Sequence, residues 1–222
     1  MFQFIKKYRV LKEMLGAAGR MWYDKPRYRQ KPAGPARRQR GGMIALFVLK
    51  EEAGFCRAQA LGRCTAEYCA MAGRAAPRAA VKKRPSGQPY FPGEAGLHLS
   101  LSHSGGLWCC ALAPNPVGVD VERRRPVRVR ALSARFFHPE EDALLLTHGD
   151  EPALFFDLWT GKEAALKRLG LGLGFGLPSF SAAGERALCG WLRRFDAPAG
   201  YSLCLCSQTS PNEEECRLIV RI

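Results

Sequence analysis

Two acidic residues two positions apart, Asp120 and Glu122, stand in a run whose other members, Val117, Val119 and Val121, are apolar. In an extended chain alternate side chains share a face, so the carboxylates would lie about 6–7 Å apart on one side and the valines on the other. Hard oxygen donors arranged this way suit Mg²⁺, which takes one or two carboxylates together with water and substrate phosphates. A plain strand with a polar outer face, followed by solvated Arg123–Arg125, would show the same pattern. Further along, Glu163 and Lys167 share one face of a helix, with Lys162 about 100° round. A surface ion pair explains that spacing too, but Gly161 costs a helix interior about 1 kcal/mol relative to alanine, which points to a close approach there. His103 follows the strand-like Leu99–Ser102 and precedes Gly105-Gly106. At a strand end it could bind or protonate a phosphate, and an ordinary hydrogen-bonded role is the alternative.

Those residues need elements to hold them. Ile44–Leu49 is an apolar, partly β-branched run suited to a buried strand, and Arg57–Met71 has helical spacing with Leu61, Cys64, Tyr68 and Met71 on one side. Residues 79–92 read as a loop; Leu97–Leu101 and Leu107–Ala113 read as strands joined by a turn over Ser102–Gly106. After a turn at Pro114–Pro116 comes the strand Val117–Val121, then a short helix over Glu140–Thr147. The longest helix should span Pro152–Leu169, with Phe155, Leu158, Trp159, Leu166 and Leu169 near one face and Gly170 as its stop. Strands are expected near Trp191–Phe195, Tyr201–Ser207 and Cys216–Ile222, with a polar turn over Pro211–Glu215. Helices and strands mix without regular βαβ alternation, so the fold class is α+β.

Composition narrows the function. The net charge is +14, but residues 1–42 carry 12 Lys and Arg against Glu13 and Asp24, leaving 22 basic and 18 acidic groups in the other 180 residues. That segment reads as a basic N-terminal arm with a short amphipathic helix over Phe4–Leu15: a solvated tail, an anion-attracting arm or a transit-like leader. A nucleic-acid-binding protein driven by this arm is the rival reading, although the body carries no helix-turn-helix, finger or RRM pattern. No apolar run is long enough for a membrane helix and no signal-peptide core is present. Nine cysteines without metal-like spacing read as reduced thiols of a cytoplasmic protein. Gly170–Gly176 follows a helix and lacks the Lys-Ser/Thr of a P-loop, so it reads as a cap and loop.

Four ordered segments resemble the 4′-phosphopantetheinyl transferase family, in its double-length, surfactin-synthetase-activating (Sfp-type) branch. Val117-Gly118-Val119-Asp120-Val121-Glu122 is similar to that family's (I/V)-G-(I/V)-D-(I/V)-E motif, and Trp159 to Lys167 to its W-x-x-K-E-(A/S)-x-x-K motif. Phe136–Glu141 resembles F-(F/A/S)-x-x-x-E, with Glu141 the better match and Glu140 the fallback, and Leu99–Ser104 resembles the (N/S)-(I/L)-S-H-S element. The resemblance implies two similar α/β halves in a pseudo-twofold arrangement: residues 43–113, and residues 114–222 with the metal site. It implies transfer of 4′-phosphopantetheine from coenzyme A to a serine of an apo acyl or peptidyl carrier protein, with Mg²⁺ or Mn²⁺, by a monomer of fused halves and of holo-acyl-carrier-protein synthase type. Asp120, Glu122 and Glu163 would hold the metal; Lys162 and Lys167 would contact phosphates; Ser102 and His103 would bind the nucleotide-side phosphate. Glu163, or a water it orders, would take the serine proton, with Lys167, Asp120 and His103 completing the catalytic group. Gln88 stands where the family has the lysine of Gly-Lys-Pro, and the N-terminal half is short for the branch. A degenerate, carrier-binding relative without catalysis is the third reading.

Overall fold

The computed structural model describes residues 42–172, 175–210 and 215–222. The basic arm up to residue 41 with its Phe4–Leu15 helix, most of the Pro211–Glu215 turn and part of the Gly170–Gly176 loop lie outside them. Two four-stranded sheets carry the fold. The first has the order β10-β1-β5-β4: β1 (Ile44–Lys50), β4 (His98–Ser104), β5 (Leu107–Ala113) and β10 (Cys216–Arg221). The second has the order β6-β9-β8-β7: β6 (Val117–Arg123), β7 (Arg186–Ala187), β8 (Gly190–Phe195) and β9 (Tyr201–Ser207). A small hairpin of β2 (Lys82–Lys83) and β3 (Pro89–Tyr90) stands where the sequence reads as loop throughout.

The first sheet is apolar on both faces, which is why β1 and β5 read as unbroken hydrophobic runs. One face, with Phe47, Leu99, Cys110 and Leu112, packs against Ala60, Cys64, Tyr68 and Cys69 of helix α1 (Arg57–Met71). The other, with Ile44, Leu46, Val48, Cys109 and Ala111, packs against Val117, Val119, Val121, Leu203 and Leu205 of the second sheet. The valines of the carboxylate strand, Val117, Val119 and Val121, therefore do go to a core, but the carboxylate face is covered as well. Burial holds the thiols of Cys64 and Cys206 up at about 11 and that of Cys204 at about 12, so they remain protonated and inert.

Three helices follow β6: α2 (Val129–Phe136), α3 (Pro139–Thr147) and α4 (Pro152–Leu169). Helix α3 begins at a capping box, in which the His138 side chain accepts from Glu140 N–H while Glu141 reaches back to His138 N–H. Helix α4 has the expected limits and ends at Gly170, whose φ of 67° is left-handed. Leu169, expected on its inner face, is 42% exposed because the last turn borders an open cleft.

Two further differences come from pairing. Strand β4 runs on to Ser104, and the turn shrinks to Gly105-Gly106, both with positive φ, as a two-residue hairpin demands. Strand β10 does not join β9; it returns to the first sheet and lies parallel to β1, so the last strand of the 114–222 segment completes the sheet of the 43–113 segment.

Candidate active site

The site is built where α4 lies on β6. A Cβ at Gly118 would fall 2.0 Å from the Ala164 carbonyl oxygen and 2.5 Å from Arg168 N, so strand and helix meet backbone to backbone. Gly161 has the close approach its position implied: a Cβ there would come 3.2 Å from Ala182 Cβ. This seating carries Lys167 onto Asp120, with Nζ 2.7 Å from Oδ1.

β4 and β6 are edge strands of different sheets, and they meet through side chains instead of a shared backbone ladder. The Oγ atoms of Ser100, Ser102 and Ser104 accept hydrogen bonds from Val119, Val121 and Arg123 N–H at 3.0, 3.3 and 3.1 Å. The Lys167 ammonium closes the same seam, donating to Leu101 O at 3.3 Å and Val119 O at 3.0 Å. Edge groups that would otherwise be left unpaired in the interior are thereby satisfied.

Asp120 is fully buried. Its Oδ1 accepts from Ser102 Oγ at 2.7 Å and from Lys167, while Oδ2 accepts no hydrogen bond among the described residues. A buried carboxylate oxygen left without a donor is costly, and a cation satisfies it. Glu122, on the same strand face, accepts from Ser104 Oγ at 2.8 Å and lies 3.8 Å from Arg125 Nη1. Glu163 is buried on α4 and lines, with Lys167 and Gln88, a cleft of about 290 Å³. Among the described residues no three His, Cys, Asp or Glu side chains are grouped closely enough to hold an ion by themselves. From α4, Lys167 is hydrogen-bonded to Asp120. Asp120 and Glu122 still fit a hard divalent ion whose remaining ligands are water and substrate oxygens.

Two residues expected at the site face elsewhere. Lys162 is wholly buried, its Nζ 2.5 Å from Glu141 Oε2 and 2.5 Å from the Phe180 carbonyl, so it does not reach the cleft for a phosphate. It points round the helix from Glu163 and Lys167, and with Glu141 (which also accepts from Ala182 N–H) it ties α3 and the Phe180–Ala182 segment to α4. Glu141 rather than the exposed Glu140 is the integrated acid of that motif. His103 alternates with Ser102 and Ser104, so it turns away from β6; its ring nitrogens lie 2.9 and 3.2 Å from the guanidinium of Arg57 at the start of α1. Gln88 lines the cleft but binds the helix end, donating from Nε2 to Lys167 O at 3.3 Å.

Lys162→Met should cost about 3 kcal/mol, because it leaves the Glu141 carboxylate buried without its cation; Lys162→Met with Glu141→Gln should recover most of that in urea unfolding. Burial lowers the Lys162 pKa from 10.5, against the raising effect of Glu141. The unfolded chain then binds more protons than the folded one between the lowered value and 10.5, so this lysine's contribution to stability rises with pH across that window. The Lys162→Met variant should lose that rise.

The sequence that builds this site has counterparts. The family profile of the 4′-phosphopantetheinyl transferase superfamily matches residues 116–218. The chain is 33% identical over 135 residues to a 4′-phosphopantetheinyl transferase of Bacillus subtilis, covering 54% of this chain and 59% of that one. It is 29% identical over 135 residues, with the same coverage, to 4′-phosphopantetheinyl transferase Sfp of Bacillus subtilis strain 168. It is 43% identical over 84 residues to 4′-phosphopantetheinyl transferase HetI of Nostoc sp., covering 36% of this chain and 35% of that one. These relatives support the Sfp-type branch, and the alignment spans about three fifths of the length of the first two.

Sequence reasoning assigned no role to Ser100, Ser104 or Arg57. A signal for the serines was present, since three hydroxyls at period two in one strand must share a face. Nothing in the sequence pairs Arg57 with His103; that contact spans 46 positions.

Proposed function

We propose that this protein transfers 4′-phosphopantetheine from coenzyme A to a serine of an apo acyl or peptidyl carrier protein, as a Mg²⁺-dependent holo-acyl-carrier-protein synthase type of transferase. The observation that carries this reading is the meeting of Asp120 and Lys167 at the seam, with Glu122 on the same strand face and Glu163 in the adjoining cleft. Asp120, Glu122 and Glu163 would hold a divalent ion, which when bound would supply positive charge for the oxygens of a diphosphate, and Mn²⁺ meets the same donor set.

The residues of the chain do the rest. Lys167 places an ammonium beside Asp120 at the cleft wall, where negative charge develops as the bond to the departing phosphate breaks. Glu163, directly or through a water, takes the proton of the carrier serine; the hydroxyl oxygen bonds to the phosphorus bearing pantetheine, and adenosine 3′,5′-bisphosphate leaves. Arg57 and His103 form a basic pair at the far side of β4, and they suit a phosphate on the nucleotide end. Lys162 has no part in binding.

The pseudo-twofold reading is proposed with the β10 exchange included: each sheet has four strands and one long helix on a face, α1 for the first and α4 for the second. A monomeric, cytoplasmic enzyme is proposed as well; the nine free thiols bear on the compartment alone. Among the described residues no helix is long and apolar enough to cross a membrane.

Incubation of the full chain with coenzyme A, Mg²⁺ and a panel of apo carrier proteins is expected to add one phosphopantetheine per carrier, read by intact mass. No mass gain on any carrier, with the protein folded, would overturn the reading.

A further inference from the structure

We infer that Ser104 is a positioning residue for Glu122, setting the direction in which that carboxylate presents its oxygens to a divalent ion. This rests on the metal reading above and extends it to a residue outside the expected site. The hydroxyl of Ser104 has two partners with opposite demands. It accepts the Arg123 backbone N–H at 3.1 Å and lies 2.8 Å from Glu122 Oε2. With an oxygen lone pair turned to the backbone donor, its own proton is directed onto the carboxylate.

The same device repeats along the strand. Ser102 accepts from Val121 N–H and donates to Asp120 Oδ1. Ser100 accepts from Val119 N–H, but the residue in the corresponding place on β6 is Gly118, which has no side chain to receive a proton. One rung of the ladder is therefore structural only, and two rungs also orient an acid. Hydrogen bonds to a ligating carboxylate fix its orientation, and losing one typically lowers metal affinity about 10- to 100-fold. Ser104 sits at the half-buried end of β4, where loss of its bond to the Arg123 backbone is compensated by water.

Titration of the full chain with MnCl₂, free Mn²⁺ being read by its EPR signal without coenzyme A or carrier present, tests this. Ser104→Ala should weaken Mn²⁺ binding about ten-fold with a thermal midpoint near that of the wild type, Ser104→Thr should restore it, and Ser100→Ala should leave it unchanged. Wild-type affinity in Ser104→Ala overturns the proposal while leaving the transferase reading intact. A fall in thermal midpoint with unchanged Mn²⁺ affinity overturns it in favour of a purely structural serine. Failure of the wild-type chain to bind Mn²⁺ overturns it together with the metal reading.

Discussion

Gly118→Ala is expected to cost ~4 kcal/mol or more in folding stability, at the far end of what single substitutions do. The new methyl carbon would lie 2.0 Å from the Ala164 carbonyl oxygen and 2.5 Å from Arg168 N, and both are backbone atoms of a buried helix. A flexible side chain can swing away from a methyl group; a helix backbone moves only as a body. Shifting α4 off β6 would break the seam contacts of Lys167 and open the packing of Phe155, Leu158 and Leu166, all nearly fully buried. Gly62→Ala is the matching control. It lies inside α1 with nothing within 4 Å of the added carbon, so relief of the glycine penalty should stabilise the fold by up to about 1 kcal/mol. Urea unfolding of the two variants should move in opposite directions. A Gly118→Ala midpoint equal to the wild type would mean that the helix is not seated on the strand as described.

Asp120→Asn should abolish transfer far more than it disturbs the fold. The amide keeps an acceptor for Ser102 Oγ and Lys167 Nζ, so the seam closes and the stability cost should stay at about 1–2 kcal/mol. What goes is the negative charge, and with it the oxygen that accepts no hydrogen bond among the described residues. An amide NH₂ in that place repels a cation. A roughly thousand-fold fall in phosphopantetheine transfer is expected, the scale on which loss of a principal electrostatic group acts. Asp157→Asn is the contrast: that carboxylate binds Arg124 and Ser202 at the partly exposed edge of α4 and should leave transfer within experimental error of wild type. Substantial transfer by Asp120→Asn, measured by carrier mass at saturating Mg²⁺, would remove Asp120 from the site.

These two positions show how unevenly the site could be read from residues. The alternation of Val117, Val119 and Val121 with Asp120 and Glu122 correctly put both acids on one strand face, because side-chain direction in a strand is a local property. It did not reveal that this face is covered by α4, so a polar outer face and a buried site looked alike. Gly118 is a small residue within a motif until the helix is laid over it. Similarly, Glu163 and Lys167 were legible as neighbours on α4, but Lys162 looked equally able to face a phosphate.

Local order was determined by the sequence itself. Pro152 and Gly170 bracket the long helix, the apolar runs of β1 and β5 announce buried strands, and the ordered motifs around Asp120, Glu141 and Lys167 point to one family of transferases. Each depends on backbone geometry or residue type within a few positions. Only tertiary structure decided which neighbours each polar group meets. It sent Lys162 to Glu141 and Lys167 to Asp120, turned Ser102 toward β6 and His103 toward Arg57, and carried β10 back to β1. Those outcomes depend on how helices and sheet edges pack across tens of residues, and a buried charge takes its role from the partner that this packing supplies.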